Sequence, residues 1–147
     1  MKQRHTLIPA SYLLFEKEGK LLLLRRFNTG FEDGKYSLPS GHVEEGETFK
    51  ECAVREAKEE VGVEIEERDL ECVHIMQRLS SVDSEERIDN FFKVNKWKGT
   101  LENKEPEKCD DLSWFEKENL PENLIEFVKK ALKKMERKEF YSEEGWS

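Results

Sequence analysis

Residues 38–63 read LPSGHVEEGETFKECAVREAKEEVGV, and the second half of that stretch is the clearest local signal in the chain. Thr48 followed three residues later by Glu51 forms a capping box, and Gly62 stands where a helix-ending glycine belongs, so the spacing predicts a helix over residues 49–61. At about 100° per residue, Phe49, Ala53, Val54, Ala57 and Val61 fall on one apolar stripe. Glu56, Glu59 and Glu60 share an arc of about 100° that borders this stripe, while Arg55 points away from Glu60. Like charges three and four residues apart repel on a bare helix by a few tenths of a kcal/mol. A hard divalent cation with oxygen ligands would offset that repulsion. Taken alone, such a run in a chain that is 39% charged is most often a solvated helix face.

Outward from this helix, the pattern alternates strands and loops. Residues 7–16 and 20–27 read as strands joined at Glu18-Gly19, the second carrying the run Leu21 to Leu24 and therefore buried on both faces. Residues 28–35 and 36–46 read as irregular because of their Gly, Pro, Asn and Asp content. Strands are expected from Ile65 or Leu70 to Arg78, over 88–97, and briefly over 111–115, with a long charged loop over 99–110. A second helix is expected over 124–135 from the spacing of Leu124, Phe127, Val128, Ala131, Leu132 and Met135. Strands alternating with two helices indicate an α/β or α+β domain, one domain over residues 1–147.

Composition narrows the function. There are 25 Lys plus Arg against 33 Asp plus Glu, a net charge of −8 and a pI near 5.1, so no broad basic field exists for duplex nucleic acid. An acidic protein still binds phosphates when a divalent cation lies between. No apolar run approaches the roughly 20 residues of a membrane span, and the stretch 6–15 is broken by Pro9 and followed by charges where a signal cleavage site belongs. Cys52, Cys72 and Cys109 have no C-x-x-C spacing and read as reduced thiols, which indicates a cytoplasmic protein.

The pattern Gly41, five residues, Glu47, seven residues, then Arg55-Glu56-Ala57-x-Glu59-Glu60-x-Gly62-Val63 matches a complete Nudix box over residues 41–63. The chain therefore resembles the Nudix hydrolase family, although Ser40 stands where that family often has Gly. The resemblance implies the Nudix fold, a mixed curved β-sheet between α-helices. It also implies hydrolysis of a pyrophosphate bond in a nucleoside diphosphate derivative, with Mg²⁺ or Mn²⁺. By that resemblance Glu56, Glu59, Glu60 and the Ser40 carbonyl bind metal, and Glu56 or Glu60 is the general base toward water. Arg55 and Glu47 are expected to tie loop to helix, and Gly41 and Gly62 to serve turns.

Substrate signals are thinner. No proline occurs between Gly62 and Glu105, where ADP-ribose hydrolases often have one. No tyrosine lies between Val63 and Phe140, where diadenosine polyphosphate hydrolases often have one. What remains is most similar to the MutT-type nucleoside triphosphate pyrophosphohydrolases, with 8-oxo-dGTP among the substrates that similarity suggests. It would make Arg26 a phosphate contact, Glu105 a further catalytic or metal glutamate, Phe91 or Phe92 an aromatic beside the base, and Asn123 a base reader. Each has a plainer alternative: Arg25 and Arg26 as solvated charges, Phe91 and Phe92 on opposite faces with one in the core, Asn123 as the cap of the last helix. His42 reads as a loop residue. The aromatic tail 139–147 is expected to dock over the domain, a partner or the pocket. Expected partners are a small nucleotide and, for assembly, none or a second copy. Alternatives are an RNA 5′-pyrophosphohydrolase and a non-catalytic nucleotide-sensing module.

Overall fold

The computed structural model describes residues 3–146. In chain order the elements are β1 (Ile8–Leu14), β2 (Glu16–Lys17), β3 (Lys20–Arg26), β4 (Tyr36–Ser37), β5 (Ser40–His42), α1 (Phe49–Val61), a single 3₁₀ turn (Glu67–Asp69), β6 (Leu70–Leu79), β7 (Glu86–Val94), β8 (Cys109–Glu116), α2 (Glu126–Glu136) and β9 (Tyr141–Glu144). Five strands form one mixed sheet in the order β5-β1-β7-β6-β9, in which β1 runs parallel to β7 and β9 parallel to β6. A second, antiparallel sheet is built on β3, which pairs with β2, β4 and β8.

Two cores result from the alternation of side chains along the strands. On one face Leu13, Phe15 and Phe92 pack against Ala53, Ala57 and Val61 of α1. On the other, Tyr12, Leu14, Met76 and Phe91 pack against Val128 and Ala131 of α2. The four-leucine run serves both, since Leu21 and Leu23 enter the α2 core and Leu22 the α1 core. This is why β3 shows no polar alternation.

Local chemistry explains α1. The Thr48 Oγ accepts from the Glu51 amide at 3.0 Å, the Glu51 carboxylate accepts from the Thr48 amide at 2.9 Å, and Gly62 ends the helix at φ 72°. The Ser11 hydroxyl donates to the Phe49 carbonyl at 2.7 Å and pins the start of the helix to the sheet.

Several expectations differ from the fold. Residues 36–46 hold the short strands β4 and β5, which are made by their partners rather than by any periodicity of their own. β7 starts earlier and ends earlier than residues 88–97, and Ile65 lies outside β6. The aromatic tail forms β9 on the edge of β6, with Phe140, Tyr141 and Trp146 about half exposed. Ser147, the last residue of that tail, lies outside the described residues. Helix α2 begins with Ile125 at its N-cap and no side-chain cap, so Asn123 is not the cap. The three cysteines are free. No helix among the described residues is long and apolar enough to cross a membrane.

Candidate active site

Strand β5 and helix α1 meet at the carboxylates. β5 hangs on β1 through the pairs Ala10–His42, Ser11–Gly41 and Tyr12–Ser40. This places Gly41 directly over α1, where a Cβ would lie 2.2 Å from Cδ of Glu56, so only glycine leaves room for that carboxylate. The Ser40 amide donates to both oxygens of Glu60, at 3.3 and 3.4 Å. Burial first, then hydrogen-bond contact with Glu56 and the charges of Glu56 and Glu105, push the Glu60 carboxyl well above its usual range.

Arg55 braces the site. Its Nε and Nη2 donate to the two oxygens of Glu47 at 2.7 and 3.0 Å, a bidentate pair joining the loop before α1 to the helix. Nη2 also donates to the His42 carbonyl at 3.1 Å, while Nη1 donates to Glu56 at 2.6 Å and to Glu59 at 3.3 Å. This fork lowers the Glu47 carboxyl to about 2. His42 serves through its backbone, and its side chain is exposed.

The loop 99–110 brings a fourth acid. Its backbone is tied to α1 by the Lys104 amide donating to the Glu60 carbonyl at 3.0 Å, and Asn103 caps the Glu105 amide at 3.0 Å. Burial raises the Glu105 carboxyl, Lys108 opposes this, and Glu56 and Glu59 add to it, so Glu105 lies within the field of the helix carboxylates.

The structure thus gathers Glu56 and Glu60, both partly buried, while Glu59 has a side chain 52% exposed and leans on Arg55. As they stand, no three acidic, His or Cys side chains among the described residues converge as a ready-formed metal cluster. The donor set nevertheless suits a hard divalent cation: carboxylate oxygens, an adjacent backbone carbonyl at Ser40, and the clearance that Gly41 leaves beside Glu56.

The expected substrate contacts are dispersed. Arg26 uses Nε on the Phe31 carbonyl (2.6 Å) and Nη2 on Thr29 (3.0 Å), and Arg25 pairs with Asp110 at 2.7 Å. Asn123 is spent partly on structure, its amide donating to the Gly34 carbonyl at 2.9 Å. Phe91 does not line a pocket: it is wholly buried, stacked on Tyr12 at 4.9 Å between ring centroids, because its strand face turns into the α2 core.

Missed in the sequence is a second polar group on that same face. Arg78 donates to Asp89 at 2.9 Å with its guanidinium carbon 3.6 Å from the Phe127 ring centroid, and Phe31 lies near the guanidinium groups of both Arg26 and Arg87. The alternation Arg87-x-Asp89 places both on one strand face, a signal that could have been read. A cavity of 830 Å³ under the far half of α2, lined by Leu14, Val73, Leu132 and Met135 among others, includes none of the carboxylates above.

A model of the NUDIX domain matches residues 6–137. An ADP-ribose pyrophosphatase of Methanocaldococcus jannaschii is 50% identical over 50 residues, covering 34% of this chain and 29% of that protein. An NAD-capped RNA hydrolase NudC of Stutzerimonas stutzeri is 32% identical over 117 residues, covering 78% of this chain and 38% of that protein. The chain therefore spans well under half the length of these curated relatives. A crystal structure of a MutT NUDIX hydrolase from Burkholderia pseudomallei superposes with a TM-score of 0.80 at 22% identity, over 88% of this chain and 98% of the other. At that identity the likeness speaks for the fold.

Proposed function

This chain belongs to the Nudix family, and from that premise we propose that it is a divalent-metal-dependent hydrolase of pyrophosphate bonds in nucleoside triphosphates or other nucleoside diphosphate derivatives. The observation that carries this reading is the pairing of Glu56 and Glu60 beneath the Ser40 amide, braced by the Arg55–Glu47 fork. Glu56, Glu60 and the Ser40 carbonyl would hold Mg²⁺ or Mn²⁺, with Glu59 completing the set by leaving Arg55. When bound, the cation neutralises phosphate charge and makes water a stronger nucleophile at neutral pH.

The remaining roles belong to the chain. Water attacks one phosphorus of the P–O–P linkage, the bridging P–O bond breaks, and the leaving phosphate takes the bonding pair. Glu56 or Glu60 accepts the proton of the water, with Glu105 as a third acid close by. Arg55 and Glu47 keep the helix and loop in register, a positioning role. Arg26 has Nη1 left for a phosphate oxygen and Asn123 its amide oxygen for a donor group of the substrate.

A second substrate class is favoured by the relatives named for ADP-ribose and NAD-capped RNA, since both compounds contain a pyrophosphate joining adenosine to a second ribose. One experiment separates the classes. The chain is incubated with Mg²⁺ and a panel of nucleoside triphosphates, 8-oxo-dGTP, ADP-ribose, NADH and 5′-triphosphate RNA, and released phosphate, pyrophosphate and nucleoside monophosphate are measured. Turnover on at least one member that is lost in Glu60→Gln supports the hydrolase. No turnover on any of them with Mg²⁺ or Mn²⁺ would overturn it in favour of a sensing module.

A further inference from the structure

The Arg78–Asp89 pair is buried, incomplete, and unused by the chemistry proposed above. The sheet register puts Arg78 opposite Arg87, and Asp89 between Met76 and Ala10. The two side chains are 6% and 0% exposed. An ion pair this deep adds little or nothing to stability over an apolar pair of the same shape. It is also not closed on itself. Oδ1 of Asp89 has no hydrogen-bond partner. Nε is the one nitrogen of Arg78 that a described residue engages, which leaves both terminal nitrogens without an acceptor. A buried acceptor therefore stands beside a fork of donors whose terminal nitrogens keep some contact with solvent, with the Phe127 ring against the guanidinium and Tyr12 edge-on to Phe127 at 5.8 Å.

The chemistry of a fitting ligand follows. A phosphate would satisfy Arg78 but meet the Asp89 carboxylate as a like charge. A cation would satisfy Asp89 but meet Arg78 and Arg87. A neutral, planar group that presents an acceptor beside an N–H donor satisfies both, and neighbouring aromatic rings suit it. That is the edge of a nucleobase. Arg87 frames the place without competing for it, since Asp83 holds both its terminal nitrogens at 3.0 and 2.7 Å.

We infer that Arg78 and Asp89 form the base-recognition element of this protein, with Asp89 Oδ1 accepting from a base N–H and Arg78 donating to the adjacent carbonyl or ring nitrogen. This rests on the reading of the chain as a nucleotide hydrolase. Oδ1 itself is closed off from solvent in this structure, so a base reaches it only by displacing side chains around it.

The test is calorimetric titration of the full chain with AMP, GMP, CMP and UMP, and with ribose 5-phosphate as the same ligand lacking a base. In Asp89→Asn the nucleoside monophosphates should weaken by about 5- to 150-fold, unequally among the bases, with ribose 5-phosphate unchanged. Because a single unpaired buried charge can undermine folding, the double variant Arg78→Met/Asp89→Leu removes both polar groups at similar volume and keeps a cooperative melt. It should show the same base-dependent loss. Affinities within about twofold of the wild type in both variants would overturn the inference and leave a buried water as the partner of Oδ1. An equal loss for ribose 5-phosphate would overturn it too, by showing an effect on pocket shape. A wild type that hydrolyses nothing yet titrates as expected would sink the hydrolase reading alone, whereas an active wild type with unaffected variants would sink this one.

Discussion

Removing the Arg55 guanidinium tests the brace and the site together. The shortest hydrogen bonds that Arg55→Ala deletes are two to Glu47, at 2.7 and 3.0 Å, and one to Glu56 at 2.6 Å, with those to the His42 carbonyl and Glu59 lost as well. The side chains of Arg55, Glu47 and Glu56 are 23%, 15% and 13% exposed, so these bonds are neither fully screened nor fully buried. Charged hydrogen bonds contribute about 1.5–3 kcal/mol each, and three on one guanidinium are not additive, so the expected loss is about 2–4 kcal/mol. For a domain of this size that lowers Tm by about 5–15 °C. The loss should also depend on pH in a definite direction. Arg55 holds the Glu47 carboxyl at about 2, below its unfolded value of 4.5. The stabilisation is therefore fully present above pH 4.5 and is lost as pH falls through about 2. Urea unfolding of wild type and variant at pH 7, 5 and 3.5 should give a stability gap that is widest at pH 7 and narrower at pH 3.5. Activity at pH 7 should fall by about 10–100-fold, as for groups that orient metal-binding side chains. A gap at pH 7 below about 0.5 kcal/mol, the range of exposed ion pairs, would refute the brace. So would a gap that does not change with pH.

Three further outcomes are expected. Gly41→Ala puts a Cβ where the Glu56 carboxylate lies, so turnover should drop by at least ~10²-fold while the melting temperature shifts little; normal turnover would show that Glu56 can move without cost. Glu60→Gln should also lose at least ~10²-fold in turnover but melt no lower than wild type, because it removes a carboxyl whose charged form burial, Glu56 and Glu105 disfavour; a lower melting point would contradict that account. His74 lies under β9, its ring nitrogens 2.9 Å from the Glu139 carbonyl and 2.7 Å from the Ser142 hydroxyl, and burial lowers its pKa below 6.5. Its contribution is present above pH 6.5 and is lost as pH falls through the folded value, so amide protection of Tyr141–Glu144, corrected for intrinsic rates, should fall between pH 7 and pH 5 ahead of β7. Equal protection at both pH values would refute this.

What could be read in the sequence was local. Helix α1 announced itself through Thr48, Glu51 and Gly62, whose effects act within one turn, and the wheel placed Glu56 and Glu60 beside the buried stripe. Glu59 sat at the outer edge of the same arc, and the structure accordingly leaves it half in solvent with Arg55. Elements made by distant partners were not legible. β5 is three residues containing a glycine and exists because β1 pairs with it, and β9 exists because β6 offers an open edge 66 positions earlier in the chain (Ile75 to Tyr141, Arg78 to Glu144). Asn123 looked like a helix cap because helical spacing began at Leu124, but the chain turns into α2 only at Glu126 and the amide bridges to Gly34 instead. Arg78, Arg87 and Asp89 escaped notice because a charge within a strand ordinarily points to solvent, and only the sheet register shows that the three share one buried face on which Arg78 pairs with Asp89.

The position of β9 also bears on how the polypeptide is made. The other eight strands and both helices precede it in the chain, and β6 meets β7 along its whole length without its help. A ribosome that has released residues up to about 138 therefore presents a nearly finished sheet whose β6 edge, from Ile75 to Arg78, still has unpaired amides and carbonyls. Such an edge recruits whatever extended chain is nearest, including another nascent copy. Closure of that window is the work of four residues, latched by Lys130 to Glu144 at 2.6 Å. Truncation before Phe140 should consequently show itself first as poor recovery during expression, with catalytic defects in the surviving material a lesser effect.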